Sequence, residues 1–154
     1  MESTSEYRSW FWVLKSWVIV YAVLLVVGIL LGFVGGPSYY WSTMTIGSLI
    51  MIAPITYRNL VGGGCSLRFQ MCALVKGMVA GFVFLMLSMV ADFVLWGAIG
   101  TSFGWTPLAE SPVSWTLYQM WWFSAAIGGF GARIVEVRAY DKTVGRNVTI
   151  IDTE

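Results

Sequence analysis

The sequence contains 154 residues, of which 58% are hydrophobic and 11% are charged, and its mean hydropathy is +0.75. Soluble domains usually contain about a quarter charged residues, so this composition excludes an ordinary soluble domain and predicts an integral membrane protein. The formal net charge of +1 provides no overall attraction to nucleic acid, and we expect no nucleic-acid partner.

The residue types present give little support to catalysis or metal binding. Histidine is absent, which removes the commonest general base and a frequent metal ligand. No nucleophile has an adjacent base, because Lys and Arg occur only near the ends of the apolar segments. Cys65 and Cys72 match neither a redox nor a zinc motif, and are expected to be free thiols. Met and aromatic residues in membrane helices usually pack against other side chains, and only rarely bind haem, pigment or quinone. We therefore expect no enzyme activity, metal or cofactor.

The first apolar segment predicts a long helix that is retained as a membrane anchor. Ser3 and Glu6 fit a capping box at its start, and the membrane span is expected over 16–34. Its apolar run exceeds the roughly 7–15 residues of a signal-peptide core. Tryptophans before and at the start of the span, including Trp12 and Trp17, predict an interfacial aromatic belt.

The end of this segment predicts helix packing followed by a reversal. Gly28 and Gly32 form a GxxxG pattern, with Tyr21 on a similar side, which favours close approach of a second helix. The sequence Gly-Gly-Pro at 35–37 ends the helix. We expect a tight turn containing the aromatic residues 39–41 at the opposite interface.

The second span is expected over 41–57, close to the minimum length for crossing a bilayer. Pro54 predicts a kink in its last turn. A loop is expected over 59–70. The triple glycine at 62–64 lacks the flanking residues of a phosphate-binding loop, so no nucleotide site is predicted there.

The third span, over 77–97, has two contrasting faces at the helical angle of about 100° per residue. One face carries small residues and an acid: Ala73, Gly77, Gly81, Ser88 and Asp92. The opposite face carries bulky residues that suit lipid: Val75, Val79, Phe82, Met86, Val90 and Phe93. The pattern predicts that the small face packs against neighbouring helices.

The fourth span is expected over 113–132, after a loop without positive charge. Two adjacent faces of small residues predict contact with more than one helix: Ser124, Gly128 and Ala132, and Ala125 with Gly129. The helix is expected to end by about Lys142, within a cytoplasmic-side tail over 133–154. The β-prone run 148–151 is expected to be loose or to add a strand to a partner.

Four spans place all nine basic residues on one side of the membrane. They lie before span one (Arg8, Lys15), around the middle loop (Arg58, Arg68, Lys76) and after span four (Arg133, Arg138, Lys142, Arg146). By the positive-inside rule, both termini and the middle loop are on the cytoplasmic, matrix or stromal side. The sequence therefore predicts a single all-α integral membrane domain over 1–154, an antiparallel up-down bundle of four transmembrane helices in the cytoplasmic membrane or an organelle inner membrane.

Asp92 is the acid that this arrangement buries. It follows Lys76 by 16 residues, about 24 Å along a helix, so the two cannot pair. Because a buried carboxylate needs a partner, we expect hydrogen bonds from Tyr118 or Gln119, and next from Tyr21 or Ser88.

Two functions fit these features. In the first, the chain is a non-catalytic subunit or scaffold that packs against other integral membrane subunits, copies of itself and lipids, with Asp92 holding the helices in register. In the second, Asp92 binds a proton or cation in a small oligomeric transporter or channel. The scarcity of other polar residues and the lack of an internal repeat favour the first function.

Overall fold

The computed structural model describes residues 3–61, 72–103 and 114–151, with side chains described for 10–36, 38–61, 72–98 and 117–140. These residues form four α-helices: α1 over Ser3–Gly35, α2 over Pro37–Leu60, α3 over Ala73–Phe103 and α4 over Ser114–Ile151. The middle loop with Cys65 and the triple glycine, and the proposed capping contacts of Ser3 and Glu6, lie outside the described part of the chain.

The helices α1 and α2 pack antiparallel. A Cβ atom added to Gly28 would lie 3.0 Å from the ring of Tyr40, and one added to Gly47 would overlap the side chain of Leu24. Residues later in α1 therefore contact residues earlier in α2. The glycine-rich end of α1 is therefore packed against aromatic residues at the start of α2.

The helices α3 and α4 are also antiparallel, and their backbones nearly touch. A Cβ on Gly77 would lie 2.8 Å from the Cα of Gly129, and one on Gly81 would lie 2.7 Å from the carbonyl oxygen of Trp122 and 3.0 Å from the Cβ of Ala125. Small residues on both helices permit this approach.

The helix α4 packs on α2 as well as on α3, so the order around the bundle is α1, α2, α4, α3. A Cβ on Gly128 would overlap the carbonyl oxygen of Ala53 and lie 2.8 Å from the Cβ of Thr56. The two small faces expected on span four thus contact two different helices. The helices α1 and α3 make few backbone contacts.

Gly36 alone separates α1 from α2. It has φ of 87°, a left-handed conformation that glycine adopts without strain. Its N–H donates to the carbonyl of Gly32 at 2.8 Å, and Pro37 begins α2, where its missing N–H has no cost. The predicted break is confirmed. The turn expected at 39–41 is wrong, since these aromatic residues lie in the first turns of α2.

The helix α4 continues to Ile151, well beyond the expected end near Lys142. The prediction of a loose or β-prone tail is wrong. Adding a residue to an existing helix avoids the nucleation cost that an isolated segment faces. The long preceding helix therefore propagates through these residues.

The two predicted faces of α3 differ in burial. The small face is buried, with Ser88 1% and Asp92 2% exposed. The six bulky residues of the other face are 38–75% exposed: Val75, Val79, Phe82, Met86, Val90 and Phe93. Two helical segments are long and apolar enough to cross a membrane, Trp10–Gly35 in α1 and Ala73–Ala98 in α3. The described chain is thus a helical bundle with an apolar exterior.

We predict that Gly81→Leu destabilises the bundle, whereas Gly97→Leu does not. A Cβ at Gly81 meets α4 backbone, which cannot rotate away, and overpacking of this kind typically costs about 1–3 kcal/mol or more. Gly97, on the same helix, has open space around a Cβ and is the matched control. Thermal unfolding in mild detergent, followed by near-ultraviolet circular dichroism, measures the difference. Equal midpoints for the two variants would contradict the α3–α4 contact.

Candidate functional site

The candidate site is the carboxylate of Asp92, which two tyrosines from different helices bind. The hydroxyl of Tyr21, on α1, donates to Oδ1 at 2.5 Å. The hydroxyl of Tyr118, on α4, donates to Oδ2 at 2.8 Å. Each carboxylate oxygen therefore has its own donor, and the residue is 2% exposed. The site joins α1, α3 and α4 through one side chain.

Tyr21 reaches Asp92 because α1 and α3 run parallel with a fixed register. The indole Nε1 of Trp17 donates to Ser88 Oγ at 3.0 Å. Both hydrogen bonds join residues 71 positions apart in the sequence. One turn closer to the N-termini of both helices, the ring of Trp12 lies edge-on to that of Phe84, with ring centroids 6.5 Å apart. Long aromatic side chains on successive turns of α1 thus bridge a gap that the two backbones do not close.

Aromatic rings surround the carboxylate. Trp17 stacks on Tyr21 with centroids 5.2 Å apart, and Trp121, 1% exposed, lies 6.3 Å from Tyr21. On α2, Tyr40 lies in electrostatic range of Asp92 and contacts Trp96 edge-on at 5.7 Å. All four helices therefore contribute a side chain to the surroundings of Asp92.

This arrangement holds the carboxylate in a fixed orientation. A phenol has one hydrogen to donate, and Tyr21 and Tyr118 each donate theirs to Asp92. Hydrogen bonds to a carboxylate are about twice as strong as neutral ones, and a surrounding of low polarity strengthens them. Among the described residues, no group of three or more Cys, Asp or Glu could hold a metal ion.

The structure brings together several of the residues singled out in the sequence. Asp92, Tyr21 and Tyr118 form the site, and Ser88 lies beside it, bound to Trp17 instead of Asp92. Gln119, expected as a first partner, is exposed, because consecutive helical residues point about 100° apart and Tyr118 already faces inward. The glycines have packing roles: Gly28 against α2, Gly32 as a buried acceptor at the α1–α2 reversal, and Gly77 and Gly81 against α4.

Sequence reasoning missed the part played by the tryptophans. Trp12 and Trp17, for which the sequence predicts an interfacial belt, also pack on the core, and Trp17 is a hydrogen-bond donor within it. The signal that identifies Trp17 is its spacing of four residues before Tyr21, which places both rings on one face of α1. Trp121 follows Tyr118 by three residues on α4, so it shares the inward face.

Removing either phenolic hydroxyl is expected to destabilise the bundle. Tyr21→Phe and Tyr118→Phe each leave one oxygen of a buried carboxylate without its donor, at a cost of about 1–3 kcal/mol. Tyr39→Phe is the matched control, since Tyr39 is 57% exposed. Unfolding in mild detergent measures each change.

The double variant tests whether the two tyrosines act on the same group. Because Tyr21 and Tyr118 share one carboxylate, their effects are expected to be non-additive. Effects no larger than that of Tyr39→Phe, or strictly additive effects, would argue against the hydrogen-bonded site.

No protein-family model, curated protein or solved structure matches this chain. The hydrogen bonds from Tyr21 and Tyr118 to Asp92 are therefore the main evidence for the function of the chain.

Proposed function

We propose that the chain is a non-catalytic four-helix subunit or scaffold of a larger integral membrane complex. The observation that carries the proposal is the bonding of Asp92 at both oxygens, which accept from Tyr21 and Tyr118 on two other helices. A carboxylate engaged in this way fixes helix positions. The residue is 2% exposed, so the carboxylate is also withdrawn from solvent.

The buried serines of α2 and α4 support the same interpretation. Ser48 donates to the carbonyl of Thr45 at 2.9 Å, and Ser124 donates to the carbonyl of Met120 at 2.6 Å. Each hydroxyl bonds within its own helix. A transporter usually lines its route with polar groups or broken helices, whereas these two serine hydroxyls bond to their own backbone. These bonds favour a packed structural interior.

The membrane arrangement in this proposal has four spans. At about 1.5 Å per residue, the 24 residues of α2 and the 38 of α4 exceed the roughly 20 that a bilayer needs. With four spans, all nine basic residues share one side, which assigns both termini and the middle loop to the cytoplasmic, matrix or stromal side.

Substitution of Asp92 separates the scaffold from the alternative, a small oligomeric proton, cation or small-solute transporter. Asp92→Asn retains an acceptor for one tyrosine and a donor to the other, so we expect stability and complex size on native gels to change little. Asp92→Leu leaves both phenols unpaired and is expected to weaken assembly by about 1–3 kcal/mol. Ion or proton flux is measured in vesicles with both variants. A flux that Asp92→Asn abolishes while assembly stays intact would overturn the scaffold proposal in favour of transport.

The membrane orientation has its own test. Protease-cleavable tags at both termini of the full chain are expected to be cut only from the cytoplasmic side of sealed vesicles, because both ends carry the basic residues. A control tag at 106, in the loop without positive charge, is expected to be cut only from the other side. Cutting of the two termini from opposite sides would refute an even number of spans.

A further inference from the structure

Tyr21 has a base at its hydroxyl and two indoles beside its ring. The hydroxyl donates to Asp92 Oδ1 at 2.5 Å, at the short end of the roughly 2.5–2.7 Å that bonds between a hydroxyl and a carboxylate take. The ring stacks on Trp17, with centroids 5.2 Å apart and planes at 22°, and lies 6.3 Å from the ring of Trp121. Tyr21 therefore combines a proton acceptor with aromatic neighbours.

The hydrogen bond from Tyr21 to Asp92 lowers the free energy needed to oxidise the phenol. A tyrosine that loses one electron becomes a cation radical, which is a very strong acid, so the electron leaves readily only when the proton leaves with it. A carboxylate in hydrogen-bond contact takes this proton directly, as a positioned general base does. Asp92 is placed to be that base for Tyr21.

Trp17 connects Tyr21 to the outside of the bundle. Its side chain is half-buried, whereas Tyr21 is 8% exposed. Its Nε1 donates to Ser88 Oγ at 3.0 Å, which holds the indole against the phenol. Electrons exchange rapidly between aromatic rings in contact, so a molecule that touches Trp17 can exchange an electron with Tyr21.

We propose that Tyr21 is a redox-active residue, which gives an electron through Trp17 to one-electron oxidants dissolved in the membrane and gives its proton to Asp92. The oxidant class that suits an apolar exterior is the organic peroxyl radical, because it forms and dissolves in hydrocarbon. The inference rests on the proposed function for one point only, the membrane setting.

Electrons and protons balance in this step. Trp17 passes one electron to the peroxyl radical and recovers it from Tyr21, whose O–H bond breaks as the proton moves to Asp92 Oδ1. The products are a neutral tyrosyl radical, a protonated Asp92 and a peroxide anion, which takes a proton from water to become a hydroperoxide. Because Asp92 is 2% exposed, its proton stays beside the radical, and one electron returned by a hydroquinone restores the phenol.

Tyr118 provides an internal comparison. Its hydroxyl donates to the other oxygen of the same carboxylate, at the longer distance of 2.8 Å. Both phenols thus share one base, but Tyr21 also stacks on the half-buried Trp17. We therefore expect the radical to form on Tyr21.

Laser-flash oxidation of the full chain in mild detergent tests the site, with a lipophilic ruthenium polypyridyl complex as photo-oxidant. The tyrosyl radical is identified by its optical absorption and by electron paramagnetic resonance with ring-deuterated tyrosine. Tyr21→Phe is expected to lose the fast phase of radical formation. Tyr118→Phe, which removes a donor from the same carboxylate, and Tyr39→Phe, at a position 57% exposed, are expected to retain it. A fast phase that survives in Tyr21→Phe, or none in the wild type, would overturn the proposal.

Asp92→Asn separates the redox role from a structural one. The amide still forms hydrogen bonds with both phenols, but it does not take up the proton. Since a positioned base typically contributes a factor of about 100 or more, we expect the fast phase to slow by about 100-fold. An unchanged rate constant would contradict the proposal. Loss of the fast phase from a wild type that still co-purifies with other membrane subunits would overturn the redox role alone.

The oxidant class is tested in lipid vesicles that contain the full chain. The probe is a lipid-soluble azo initiator, which releases peroxyl radicals within the bilayer. The wild type is expected to delay peroxidation of the lipid, and Tyr21→Phe is expected to lose this delay, whereas Tyr39→Phe keeps it. Equal delays in the wild type and Tyr21→Phe would count against the proposal.

Discussion

The fold depends on how a buried carboxylate is stabilised. Placing an aspartate inside a membrane helix costs roughly 2.5–3.5 kcal/mol on insertion scales, and Asp92 is 2% exposed. Tyr21 and Tyr118 each donate to one of its oxygens, and hydrogen bonds to a charged group contribute about 1.5–3 kcal/mol each. This cost is offset only when α1 and α4 both lie at the correct axial position relative to α3. One side chain thus specifies the relative position of three helices.

Two kinds of helix contact surround this site, and they differ in what they require of the sequence. The α3–α4 contact needs residues without side-chain bulk, as at Gly77, Gly81 and Gly129. The α1–α3 contact needs the opposite, because its backbones stay apart and Trp17 and Tyr21 fill the space. Asp92 therefore lies between two different neighbours of α3. On the α4 side the contact is made by small residues, and on the α1 side it is made by large aromatic residues. Changing residue size on either side moves the tyrosines relative to the carboxylate.

The sequence predicts features confined to one helix better than features shared by two. The buried face of α3, with Ser88 and Asp92, follows from the helical period, and Gly36 marks the reversal because backbone chemistry is local. Tyr118 and Gln119 are adjacent in sequence, and only the rotation of α4 about its axis, which depends on its packing with α2 and α3, decides which one faces Asp92. The full length of α4 was also missed, because local β propensity is weaker than the tendency of an existing helix to extend.

The hydrogen bonds of the interior bear on where the proposed subunit contacts would form. Because Asp92 and the buried serines bond within the chain, these groups are already engaged, and the proposed contacts with other subunits would form on the outer surface. Within the proposed bilayer, that surface is apolar whether lipid or protein covers it, so exposure there does not identify a contact. Apolar exposure therefore identifies a partner only where a residue lies outside the bilayer.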